Sequence, residues 1–165
     1  MTSRRWTVTF GAVLILVLWL AGGASGQIIH IVTEGGPDVD IVGPGGDYNA
    51  SLIALAKDDG TVMGEWQDNL NFPGRRPVHF HAKIVCLNVV GNEAWVGGLI
   101  TSPAALRGLY AIQGLRDLGA SAGDAPDQIT IIYWGPEMGL DSCNAPPAFM
   151  EDYWFDFSRG QVRVQ

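Results

Sequence analysis

Beyond residue 26 the apolar positions come in short β-rich runs. No long segment places them at helical spacing, and Gly, Pro, Asn and Asp separate one run from the next. The runs predict strands over 28–33, 48–56, 61–67, 78–90, 93–101, 109–117, 128–134, 153–157 and 161–164. Tyr48–Ala56 and Thr61–Gln67 read as a hairpin across "KDDG", where Asp-Gly suits a tight turn. Val78–Val90 and Glu93–Thr101 read as a second hairpin across Gly91-Asn92. "EGGPDVDIVGPGGD" reads as a loop with a weak extended piece, and "SPAALRG" has room for one helical turn. About eight antiparallel strands suit a single all-β barrel, which leaves no free edge; a two-sheet sandwich is the alternative.

Alternation also assigns faces, since neighbouring strand residues point to opposite sides. Val78, Phe80, Ala82, Ile84 and Cys86 form one apolar set, assigned to the core. His79, His81, Lys83, Val85, Leu87 and Val89 form the other, which begins polar and turns apolar, as if a loop covered its far half. On the return strand Ala94, Val96, Gly98 and Ile100 make a small-residue inner face, and Gly97-Gly98 permits a bulge or a close approach of strands.

The first 26 residues change the setting. Arg4 and Arg5 precede the apolar run Phe10–Ala21, and "AGGASG" supplies small residues before Gln27, the pattern of a secretory signal peptide. The apolar run is short for a membrane span, so no span is expected after cleavage. The remaining 139 residues suit one domain, 27–165, able to bury roughly two-thirds of its surface. They keep all 17 acids and eight of ten bases, a net charge of −9, which repels nucleic acid and anionic membranes. Outside the cytoplasm two cysteines favour a bridge, and Cys86 with Cys143 is the one pairing available.

Four groups of side chains invite chemistry. His79 and His81, at i and i+2 of a strand, point the same way, but a zinc-type metal wants a third ligand, for which His30 is the one remaining histidine. Unlike the cupin His-x-His motif, the pair is followed by no nearby Glu, so the strand surface is the favoured reading. Asp117, Asp124 and Asp127 offer oxygens for calcium in a glycine-bearing loop, without EF-hand spacing; solvated loop carboxylates are the alternative. Trp66, Trp95, Trp134 and Trp154 are candidates for lining a small-molecule cavity, against ordinary core packing. Glu65 with Asp68, and Glu151 with Asp152, read as acidic surface, and "YWFDF" is a contact patch if exposed. No nucleophile motif is present and no cofactor is called for.

The run "VCLNVVGNEAWVGGLIT", with "LRDLGASAGDAPDQITIIYW", "DSC" and "GQVRVQ", resembles a family of uncharacterised exported bacterial β-domain proteins. Their pattern is a Cys-Leu-x-Val strand, a Gly-Asn turn and an Ala-x-Val-Gly-Gly return strand. The resemblance spans roughly Tyr48–Gln165 and leaves out His30 and "PDVDIVGPGG". It implies a secreted all-β domain with Cys86 and Cys143 bridged, and it carries no activity.

The expectation is therefore a secreted, extracellular, non-catalytic β-domain, acting as a binding or structural module at or outside the cell envelope. Its partner would be a protein or a small apolar ligand. The alternatives are a carrier holding that apolar ligand in a barrel cavity, and a metal-dependent enzyme built on His79 and His81.

Overall fold

A computed structural model of the chain describes residues 26–38, 46–119, 125–157 and 159–165. The segment expected from sequence to be a signal peptide lies outside them, apart from Gly26. The described residues form an all-β fold, with strands β1 (Ile28–Asp38), β2 (Asp47–Lys57), β3 (Val62–Asn71), β4 (Val78–Val90) and β5 (Glu93–Ser102). These are followed by β6 (Tyr110–Arg116), β7 (Gln128–Thr130), β8 (Tyr133–Gly135), β9 (Trp154–Asp156) and β10 (Gln161–Val164). All pair antiparallel in one curled sheet, a half-barrel of order β10-β1-β2-β3-β4-β5-β6-β7-β9, with β8 beside β6. Two short 3₁₀ helices, Leu140–Cys143 and Ala148–Asp152, precede the tail. No helix among the described residues is long and apolar enough to cross a membrane.

The two hairpins appear where the turn chemistry places them, and three expectations are corrected. β1 does not end at Thr33 but runs through Gly35 and Gly36 to Asp38, paired with β2 throughout its second half. The 128–134 run is two strands: β7 takes the Leu115–Arg116 end of β6 and β8 takes the Tyr110–Ile112 end. At the break the Thr130 hydroxyl accepts from the Gly114 N–H (2.9 Å), replacing the missing ladder bond. In "SPAALRG", Ser102 ends β5 and the remaining residues form tight turns.

The third correction concerns faces. Phe80, Ala82 and Ile84 point into the core as expected. A register shift between Ile84 and Cys86 then admits an extra residue into β4, a bulge that inverts the alternation. Leu87 and Val89 therefore turn toward the interior, and no loop is needed to cover them. Cys86 turns outward, opposite Gly97, into a second cluster with Trp95, Ile112, Cys143 and Met150. There Cys86 and Cys143 form a disulfide that fastens the first 3₁₀ helix against β4 and β5. Gly97 is required at that place, because a Cβ on it would lie 2.5 Å from the Cys86 Sγ.

The two edges of the sheet, β9 and β10, are not joined by a strand ladder. β10 pairs with β1 on one side, and its free N–H groups are taken by side chains on the other. Val162 donates to Asp127 Oδ2 (2.7 Å) and Val164 to Asp117 Oδ2 (3.1 Å). Phe157, fully buried, fills the connection between the two edges, and its N–H donates to the Asp127 carbonyl. Two carboxylates thus satisfy a strand edge at a seam that backbone pairing leaves open.

Candidate functional site

The inner face of the half-barrel is packed with Trp66, Phe80, Tyr48 and Phe157, all essentially inaccessible. Trp66 stands edge-on to Phe80 at 5.1 Å, and Tyr48 lies 6.4 Å from Phe157. Trp134 joins this interior beside Phe80, whereas Trp95 and Trp154 pack against each other in the outer, disulfide-bearing cluster. The four tryptophans proposed from sequence therefore lie on opposite faces of the sheet and line no common cavity. "YWFDF" is likewise divided, with Tyr153 exposed and Phe157 buried.

Within the apolar interior sits a polar cluster that spans four strands. Glu34 (β1) and Asp68 (β3) are 3 % and 0 % exposed, and both are reached by one hydroxyl, that of Tyr48 on β2. The Tyr48 O–H lies 2.9 Å from Glu34 Oε1 and 3.2 Å from Asp68 Oδ2, and it has one proton for two acceptors. Gln113 on β6 points its amide N–H at the same hydroxyl (3.4 Å) and at the Thr130 carbonyl (3.2 Å). Four buried atoms of this group, Glu34 Oε2, Asp68 Oδ1, Gln113 Oε1 and Trp66 Nε1, have no hydrogen-bond partner. Each such atom costs about 1–3 kcal/mol, so the cluster is held by the packing around it.

Burial governs the charge of these groups. Loss of solvent pushes the Glu34 carboxyl up to about 8, opposed by the Tyr48 hydrogen bond. Asp68 is raised well above the usual carboxylate range, first by burial and then by the Glu34 charge. The Trp66 indole N–H faces Asp68 outside hydrogen-bond geometry and opposes that rise. Tyr48 is raised by burial and then by the two neighbouring acids. Glu34 therefore retains at neutral pH a proton that an exposed carboxyl has lost.

Apart from Trp66, this cluster is not among the site residues proposed from sequence. The sequence reading places Asp68 with Glu65 on an acidic surface; Glu65 is exposed, but three positions on a strand is an odd step, and Asp68 points inward. The signal lay in alternation: Val32 and Glu34 share a face, as do Trp66, Asp68 and Leu70, so both acids fall in inward apolar series.

The outer face carries a groove of about 460 Å³ across β2 to β5. Ser51, Gln67, Thr101 and His81 offer hydroxyl, amide and imidazole groups, and Glu65 stands opposite Lys83 in register. His81 thus borders a groove of mixed polarity, in which Ile53 is also exposed, while His79 beside it bonds the Asn69 side chain. His30 lies on β1, opposite Ala56, and contacts the Gln165 carbonyl (3.3 Å). Pairing aligns His81 through Gln67 and Ser51 with Gly35, five residues along β1 from His30. That is about 14 Å across the sheet and about 17 Å along it, so the three histidines do not meet. No three metal-ligating side chains gather among the described residues.

Of the three proposed calcium ligands, Asp124 lies outside the described residues. The oxygens of the other two are engaged by backbone. Asp117 Oδ1 accepts from Gly119 and Asp127 Oδ1 from Leu118, while their Oδ2 atoms hold β10 at the seam. Their observed role is to close the fold.

Fold and site together define a disulfide-bonded, all-β half-barrel with an acid cluster in its interior and an outer groove of mixed polarity. No protein-family model matches the chain, no curated protein is similar to it, and no solved structure matches it.

Proposed function

We propose that this protein is a non-catalytic binding or structural module that works outside the cytoplasm, at or beyond the cell envelope, and meets its ligand or partner on the outer groove. The observation that carries this reading is the division of its surfaces: the interior is filled by its own aromatic side chains, while the groove over β2 to β5 stays open, with polar and charged side chains around the exposed Ile53. The Cys86–Cys143 bridge suits an oxidising compartment, as does the signal-like segment before Gln27. An apolar carrier loses support, since Trp66, Phe80, Tyr48 and Phe157 occupy the space a ligand would need. The groove sets hydroxyl, amide and charged groups beside the exposed Ile53, a mixture that suits a protein surface or a ligand of mixed polarity.

The test is native and denaturing mass spectrometry of protein recovered from the exported fraction. The expected denatured mass begins at Gln27 and is two hydrogens lighter than the reduced chain. A ligand or partner retained natively should be lost when Ser51→Trp fills the groove. Full-length protein held inside the cell, or a ligand retained equally by Ser51→Trp, would overturn the proposal.

A further inference from the structure

The acid cluster and the seam are adjacent parts of one structure. Glu34 stands directly opposite Val162 of β10, and the Val162 N–H is the one that Asp127 holds. On its other side Glu34 is tied through Tyr48 to Asp68 and Gln113, and so to β3 and β6. The cluster therefore links the β1–β10 edge to the strands it must curl against. We infer that Glu34, Tyr48 and Asp68 form a proton-operated latch on this seam, which keeps β1 and β10 packed against the barrel while the carboxyls are protonated and releases them when the carboxyls ionise.

The groups that face the pair decide the direction. β1 contributes Glu34, β2 Tyr48, β3 Asp68 with the Trp66 N–H, and β6 the neutral Gln113. β10 opposes Glu34 with Val162, and the next ionisable group beyond that amide is Asp127, another acid. Neither carboxyl has a Lys, Arg or His among the groups that perturb it. With both ionised, two negative charges would share one hydroxyl proton, with no compensating cation in a site closed to water.

Linkage fixes the pH window. The unfolded chain releases the Glu34 proton near 4.5, whereas the folded chain keeps it to about 8. Between those values the folded state binds more protons, so stability is complete below the window and falls as pH rises through it. Asp68, raised in the same direction, adds to the fall.

The experiment follows thermal unfolding of the disulfide-bonded protein from pH 6 to pH 8.5, with amide exchange of Val162 and Val164 as the local readout. The wild type should lose about 10 °C or more of Tm over this range. Exchange protection at Val162 and Val164 should fall before that of the β4–β5 hairpin. Glu34→Gln should flatten the Tm profile and keep the seam protected at pH 8.5. Asp68→Asn supplies the same test should Glu34→Gln fold poorly. A flat wild-type profile, an unchanged slope in the folded variant, or protection lost evenly over the sheet would each overturn the latch.

Discussion

The inside of the half-barrel and the cluster on its outer face are both buried, yet they are held by different means. The interior relies mainly on packing: Trp66, Phe80 and Phe157 enclose two carboxyls that share one hydroxyl, with four polar atoms left unpartnered. The outer cluster is small, Cys86, Trp95, Ile112, Cys143 and Met150, and it is fastened by a covalent bond. Its polar neighbours are satisfied: Glu93 accepts from Trp95 Nε1 (2.9 Å) and from Arg116 Nε (2.8 Å), and the Arg116 guanidinium lies 3.6 Å over Trp154. The contrast shows where each kind of residue is tolerated. A large core can enclose incompletely paired acids, whereas a thin surface layer of five residues needs a staple and full pairing.

The contrast breaks most sharply at Trp66. Trp66→Ala should cost about 3–5 kcal/mol in urea unfolding, because it empties the wall behind Asp68 as well as the aromatic core. Removing the staple should cost less, about 2–4 kcal/mol for Cys143→Ala, and the loss should appear first as altered Trp95 and Trp154 fluorescence while β1 to β4 persist. At the seam, Asp127→Ala should cost about 1.5–3 kcal/mol through loss of the charged acceptor for the Val162 and Leu118 amides. Amide exchange at residue 162 would check it. The smallest effect is expected for Arg116→Ala, about 0.5–1 kcal/mol, since its contacts with Trp154 and the two glutamates are partly open to solvent. An Arg116→Ala loss equal to that of Trp66→Ala would remove the distinction between the two regions.

Alternation made β4 and β5 readable almost to the residue, because apolar side chains at every second position mark a half-buried strand. The same rule misplaced Cys86, because a bulge is fixed by the neighbouring strand and leaves no mark in β4's own sequence. β1 was read too short because Gly35, Gly36 and Pro37 resemble a turn. In the fold Gly36 is packed so closely that a Cβ would lie 2.6 Å from the Gly160 backbone, a constraint from residues more than a hundred positions away. The acid cluster was half legible: alternation gives the inward face of Glu34 and Asp68, but their meeting at Tyr48 depends on three strands in register. The roles of Asp117 and Asp127 were hidden for the same reason, since the amides they accept lie 47 and 35 residues further along.

The carboxylates at the seam also bear on how the molecule meets others of its kind. An unpaired edge strand is a template on which a second chain can extend the sheet, and repetition of that step builds fibrils. By occupying the amides of residues 162 and 164, Asp117 and Asp127 remove the donors that a foreign strand would need. The half-barrel gains colloidal safety without completing its circle, and two side chains take the part that an extra strand plays in a fully closed barrel.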